Sequence, residues 1–195
     1  MWRWGEGMEK TLITGSRNVV DGLSTFNTMV TMFKFHHLYT AAVFGNGFMA
    51  RALAIVNTAG PTKGQAVALH VQSNLAAFFR LNIIAYQDTL YAHSLHHFYR
   101  DCHIYDTVDF IFSNAAEVFQ NCHFFACRPM PKQKNMITAH GRFEPTQETG
   151  FIFQNCTIQA SPDLEPVKGN FSTYLGRPWR SQARVTVMQS YLGMS

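Results

Sequence analysis

One short pattern returns along this chain about every 20 residues, and it limits the possible folds more than any other feature. The segments Phe79-Arg80-Leu81-Asn82-Ile83, Tyr99-Arg100-Asp101-Cys102-His103-Ile104, Phe119-Gln120-Asn121-Cys122-His123-Phe124 and Phe153-Gln154-Asn155-Cys156-Thr157-Ile158 share an aromatic, polar residues, a Leu or Cys, a polar residue and then an apolar one. Leu81 to Cys102 spans 21 residues, Cys102 to Cys122 spans 20, and Cys122 to Cys156 spans 34. Leu53, Ile55, Val56 and Asn57 read as an earlier, degenerate copy. Units this short cannot enclose a core alone, so like residues must stack from copy to copy. Helical periodicity and a leucine ladder are both absent, which leaves an all-β solenoid, a parallel β-helix. Cys102, Cys122 and Cys156 are then inward-facing rungs, with Asn121 and Asn155 in a polar ladder. The 34-residue interval predicts one coil with a long loop at Arg128-Pro129-Met130-Pro131-Lys132-Gln133-Lys134-Asn135. On neighbouring rungs Cys122 and Cys156 are either a disulfide or two buried thiols.

The 195 residues are 47% apolar and 14% charged, which excludes a disordered chain. Seventeen Phe fit either a stacked core or an aromatic sugar-binding cleft, and the core is the default reading. A formal charge of +4 favours polyanionic partners. The basic residues are scattered singly or beside acids, so no nucleic-acid patch forms, and a diffuse positive field suits an acidic polysaccharide equally. No apolar run approaches membrane-spanning length, so no membrane span is expected. Met1-Trp2-Arg3-Trp4-Gly5-Glu6 lacks the apolar stretch of a signal peptide: either the chain is cytoplasmic, or its first part lies outside this sequence. No Cys-x-x-Cys occurs, and His93-x-x-His96-His97 has no acid at metal-ligand spacing, so these histidines are expected at the surface and no metal is expected. Residues 25–42 fit no pattern and read as a loop, an insertion or a short helix. No linker divides the chain, and residues 1–195 are expected to form one domain.

Two acids interrupt the apolar segments. Tyr86-Gln87-Asp88-Thr89-Leu90-Tyr91 and Thr107-Val108-Asp109-Phe110-Ile111-Phe112 place Asp88 and Asp109 21 residues apart, one coil, each within a strand-like run. An acid in such a run is costly unless it is paired or has chemistry to perform. On neighbouring rungs the pair suits a nucleophile beside a proton donor. A lone Asp more often caps a turn. That reading leaves the acids' common setting unexplained.

Those two runs, with Gly64-Gln65-Ala66-Val67-Ala68-Leu69 before them and Tyr174-Leu175-Gly176-Arg177-Pro178-Trp179 after them, resemble in order the signature blocks of plant-type pectin methylesterases. Thr14-Gly15-Ser16-Arg17-Asn18, Asn57-Thr58-Ala59-Gly60-Pro61 and Asp163-Leu164-Glu165-Pro166-Val167 extend the likeness, which runs from about Gly5 to about Ser190 apart from residues 25–42. The resemblance implies a right-handed parallel β-helix that hydrolyses methyl esters on galacturonate units of pectin without a cofactor. By position, Asp109 matches the nucleophile and Asp88 the general acid that then acts as base on water. Gln65 and Gln87 match the amides that stabilise the oxyanion, and Arg177 the guanidinium that keeps Asp109 ionised and oriented. Tyr91, Phe112 and Trp179 match aromatics lining the substrate groove, with core packing the competing reading for Phe112. It further implies a secreted, monomeric cell-wall protein that binds pectin and a proteinaceous inhibitor. A lyase, a glycosidase and a non-catalytic pectin-binding fragment are the alternatives. A lyase wants calcium ligands that do not stand out, and a glycosidase leaves Gln65 and Gln87 unexplained.

The chain also departs from the family pattern. A Gly-x-Tyr-x-Glu block is absent before the first repeat, and relatives continue past Met188-Gln189-Ser190, so a partial protein is expected. His70 replaces an Arg, His140 stands where Thr-Ala-Gln-Gly-Arg is usual, and Leu81 stands where many relatives have Cys. Ser113 replaces a Gly, which costs conformational energy if that position needs positive φ. Two sequons occur: Asn155-Cys156-Thr157, expected inside a rung and unmodified, and Asn170-Phe171-Ser172, expected in a loop.

Overall fold

Each coil bends twice to make three strands, and the bends fall where the repeat places its polar residues. The computed structural model describes residues 2–22 and 39–193, so most of the unpatterned segment, residues 25–38, lies outside the described residues. The first face stacks Ala41–Phe44, Leu69–Gln72, Leu90–Ser94, Val108–Ser113 and Asn135–His140, then Thr173–Tyr174 and Arg177–Pro178. On the second face lie Trp2–Trp4, His96–Arg100, Ala116–Gln120, Gly150–Gln154 and Val185–Met188, and on the third Leu12–Gly15, His103–Asp106, His123–Ala126, Thr157–Ala160 and Tyr191–Gly193. The long strands Met49–Asn57 and Ala76–Ile84 turn the corner and serve both faces. Neighbouring strands pair in parallel from coil to coil, and the coils wind as a right-handed parallel β-helix.

The corner between the second and third faces is built the same way in successive coils. Ala52, Arg80, Asp101, Asn121, Asn155 and Gln189 are all left-handed, with φ between 52° and 56°. Asn and Asp tolerate that conformation because their short side chains bond locally, and Asn155 Nδ2 donates to Asn121 Oδ1 at 2.9 Å. The residue after each bend then turns inward, and Leu53, Leu81, Cys102, Cys122 and Cys156 are buried. All four cysteines are free thiols. Cys102, Cys122 and Cys156 each donate to a carbonyl of the preceding coil, Phe78, Tyr99 and Phe119, at 3.6, 3.6 and 3.4 Å. The expectation for Asn155 is corrected: it sits on an exposed corner rather than inside a rung, although its amide is engaged by the ladder.

Much of the phenylalanine load goes inside. Phe78, Tyr99, Phe119 and Phe153 are in register on successive rungs, with ring centroids 4.6, 4.7 and 5.2 Å apart and planes within 20° of parallel. Each stacked pair contributes about 0.5–1.5 kcal/mol beyond its burial. Tyr99 also fixes the fate of His97, two residues earlier on the same side of the strand. His97 is therefore not at the surface. It lies in the interior with Nδ1 2.8 Å from Glu117 Oε1, its register partner, and both side chains are fully covered.

The 34-residue interval is also built differently from the expectation of one loop. The coil containing Asn135–His140 carries two insertions: residues 127–134, where the preceding coil uses Thr107 alone, and residues 141–149, where it uses Asn114 and Ala115. The strand must stay stacked on the first face, so added chain can only leave at the corners on either side of it. Both insertions flank that face.

Candidate active site

Regular stacking falters on the first face where the two acids lie. Gln87 forms an isolated bridge with Val108, and regular pairing resumes only at Leu90 with Ile111 and Tyr91 with Phe112. Between these points Asp88 (φ 64°) and Asp109 (φ 60°) are both left-handed, and the register against Asn135–His140 shifts between Val108 and Ile111. The acids therefore stand on irregularities of neighbouring rungs, not inside regular strands as the sequence suggested. A strict alternation cannot send both Phe110 and Ile111 into the core while Asp109 and Phe112 face the other side; the bulge allows it. Asp88 N–H donates to Val108 O at 3.0 Å, which fastens the two irregularities together.

Arg177 reaches Asp109 across the next rung. Its Nε donates to Asp109 Oδ1 at 2.9 Å and its Nη2 donates to Asp109 Oδ2, a two-pronged contact that an ionised carboxylate makes. The Asp109 side chain is 8% exposed and that of Arg177 50%, so the pair sits at the floor of an open surface. Gly176 explains how Arg177 comes so close. A Cβ there would lie 2.0 Å from Thr138 Oγ1 and 3.0 Å from Thr138 O, so only glycine allows this approach. Asp88 is buried on the adjacent rung. Burial, then the charges of Asp109 and Asp106, hold its carboxyl well above the usual carboxylate range, with Arg177 pulling the other way.

Gln65 and Gln87 lie on neighbouring rungs at the entry to this face, and Ala66 N–H donates to Gln87 O at 3.0 Å. Both side chains are half-buried. On the same side Tyr91 and Phe112 stack with ring centroids 4.7 Å apart, and Trp179 closes on Phe112 edge-on at 6.2 Å. With Val67 and Ala139 they make a small apolar cluster separate from the main core. Phe112 thus belongs to the cluster beside the acids and not to the central core. Trp179 is the most exposed of the three aromatics. His70 extends their stack, its ring 4.6 Å from Tyr91 and within 15° of parallel, so an aromatic imidazole fills the place where an Arg was expected. Ser113 does sit at positive φ (93°), and its hydroxyl donates to the His93 carbonyl at 3.4 Å. His140 is buried, with Nδ1 accepting from Arg184 N–H at 3.1 Å.

Sequence reasoning missed Asp106. It is fully buried, and burial pushes its carboxyl up to about 7 although Thr89 and Thr107 donate to it. The signal was available: the strand alternates, so Ile104 inward places Asp106 inward. No helix among the described residues is long and apolar enough to cross a membrane.

Residues 1–195 match the family model described as Pectinesterase. The chain is 53% identical over 186 residues to Pectinesterase 1 of Citrus sinensis, covering 95% of this chain and 30% of that protein. It is 52% identical over 188 residues to Probable pectinesterase/pectinesterase inhibitor 25 of Arabidopsis thaliana, covering 96% and 29%. Among solved structures, the pectin methylesterase from carrot superposes with a TM-score of 0.90 at 50% identity, covering 96% of this chain and 56% of that one. The chain thus spans about 30% of the length of the curated relatives it matches. With the family model matching residues 1–195 of it, this chain belongs to the pectinesterase family.

Proposed function

We propose that this chain is a pectinesterase that hydrolyses methyl esters on galacturonate units of pectin and releases methanol, with Asp109 as nucleophile and Asp88 as proton carrier. The observation that carries this reading is the asymmetry of the two acids. Asp109 is gripped by both prongs of Arg177, while Asp88 is buried beside it and retains its proton. Two close carboxylates ionise unequally, and here the ionised one faces the guanidinium.

An oxygen of Asp109 attacks the ester carbonyl, and the electron pair moves onto the carbonyl oxygen, where the Gln65 and Gln87 amides donate to it. Collapse breaks the bond to methoxide, which takes the Asp88 proton and leaves as methanol; an anhydride joins Asp109 to the galacturonate. Water then gives a proton to Asp88 and attacks the anhydride. This step restores the Asp109 carboxylate and the Asp88 acid and frees a galacturonic acid, which gives its proton to water. The scheme uses side chains and water and calls for no cofactor. Tyr91, Phe112 and Trp179 offer ring faces to the sugars, Trp179 most openly.

The substrate is methyl-esterified homogalacturonan in the cell wall; a protein acting on it works outside the cell, and we take it to act as a monomer. A relative whose name joins pectinesterase with pectinesterase inhibitor supports a proteinaceous inhibitor as a partner. The test is methanol release from methyl-esterified pectin by the chain and by Asp109→Asn and Asp88→Asn. The esterase reading expects release by the chain and its loss in both variants. Unsaturated ends would point to a lyase, shortened chains without methanol to a glycosidase, and binding without turnover to an inert fragment.

A further inference from the structure

A third carboxylate stands directly behind the two acids. Asp106 ends the strand His103–Asp106 and is fully covered. Its Oδ2 accepts the Thr89 N–H at 2.8 Å and its Oδ1 accepts the Thr107 N–H at 2.7 Å. Thr89 directly follows Asp88, and Thr107 lies two residues before Asp109, so one side chain holds the backbone beside both. The same corners are cross-laced by Thr89 Oγ1, which donates to Tyr105 O at 3.0 Å, and by Thr107 Oγ1, which donates to Tyr86 O. A carboxylate buried on two backbone donors is a costly way merely to fill a corner. Left-handed residues such as Asp88 and Asp109 persist where their surroundings over-determine them, and the two-ended tether supplies that constraint.

We propose that Asp106 is a positioning residue for the two reacting acids: its side chain, bonded to the Thr89 and Thr107 N–H groups, locks their neighbouring turns into one arrangement. The inference rests on the esterase reading for its kinetic consequences only. The ionisable groups facing this corner are Asp88 from the turn before Leu90–Ser94, Asp109 from Val108–Ser113, and Cys127 after His123–Ala126, with Arg177 beyond Asp109 and Asp163 beyond Cys127. Asp106 ionises as pH rises through about 7. Once charged, it opposes ionisation of Asp88, so Asp88 keeps its proton to higher pH than it otherwise would.

The experiment compares the chain with Asp106→Asn and Asp106→Ala, reading kcat and KM for methanol release against pH and carboxyl carbon NMR of Asp88, Asp106 and Asp109 against pH. Folding of each variant is checked by circular dichroism. The expectation is a kcat lower by about tenfold or more, KM little changed, and an alkaline limb moved to lower pH. In the unaltered chain Asp106 titrates near 7 and the Asp88 signal inflects at that same pH; the inflection vanishes in the Asn variant. A lowered kcat with the alkaline limb unmoved, or unchanged kinetics throughout, overturns the proposal. If the unaltered chain releases no methanol, the esterase reading fails while the carboxyl titration still decides the role of Asp106. If neither variant folds, an Asp88 signal without an inflection at the Asp106 midpoint in the unaltered chain overturns it.

Discussion

The second-to-third corner and the first face use one backbone conformation for opposite ends. At the corner, left-handed residues recur at Ala52, Arg80, Asp101, Asn121, Asn155 and Gln189 with nearly one φ, and stacking proceeds without interruption behind them. On the first face, left-handed Asp88 and Asp109 break the register; Asp109 presents its carboxylate to Arg177, and Asp106 holds the backbone beside both acids. Where the repeat is obeyed, the chain gains scaffold; where it is broken, the chain gains a charged, strained and partly dry site. Stability is therefore expected to respond to the first region and chemistry to the second.

Substituting each region separately tests that division. On the proposed esterase reading, Asp109→Asn removes the attacking carboxylate, and kcat for methanol release falls by about a thousandfold or more with the folded spectrum retained. Phe119→Ala does the reverse. It opens a cavity in the aromatic stack and lowers unfolding free energy by about 3–5 kcal/mol in denaturant titration, while kcat per folded molecule changes little.

Acid sensitivity comes from His140, buried on the first-face strand that ends beside Ser113. Burial holds its ring down to about 4, against 6.5 for an ordinary histidine, and Arg184 N–H bonds the neutral Nδ1. The unfolded chain therefore binds the extra proton first. Stability is lost as pH falls from about 6.5 to about 4, by about 3 kcal/mol in all, and is flat in this respect above 6.5. His140→Gln should flatten that decline, as melting temperatures taken at pH values on both sides of this window would reveal.

Smaller effects sharpen the comparison within the site. Gly176→Ala places a methyl group against Thr138 and pushes Arg177 off Asp109; kcat drops by about tenfold to a hundredfold while the aromatic stack is untouched. Ser113→Gly relieves a non-glycine residue at φ 93° and should add about 1 kcal/mol of stability in the same denaturant titration.

The scaffold was legible because stacking demands that like residues recur. Cys102, Cys122 and Cys156 mark the inward rungs, while Asn121 and Asn155 read as a polar ladder but not as the left-handed corners they occupy, although their side chains favour that conformation. Ala52 and Arg80 have no such preference, so their identical bends are imposed by neighbouring coils and leave no mark in sequence. The interval between Cys122 and Cys156 gave only the total length of inserted chain, not its division between two corners. His97 was misplaced because it was read as part of a histidine cluster instead of by its register with Tyr99. At the candidate site, Asp88, Asp109, Gln65, Gln87 and Arg177 were named from their blocks. The bulges beneath the acids were hidden because β-branched and aromatic neighbours predict a straight strand. Asp106 is readable as an inward acid from its alternation with Ile104, but its role is hidden until its two backbone partners come into view.

The division of labour between Asp109 and Asp88 has a direct test in the covalent intermediate. The chain is mixed with a methyl-esterified galacturonate oligomer, quenched in acid at successive times, digested and weighed by mass spectrometry. The account predicts an adduct of the oligomer less methanol on the peptide at Asp109, appearing together with the first methanol released. Methanol released with no adduct at any quench time, or an adduct on Asp88 in place of Asp109, would contradict it.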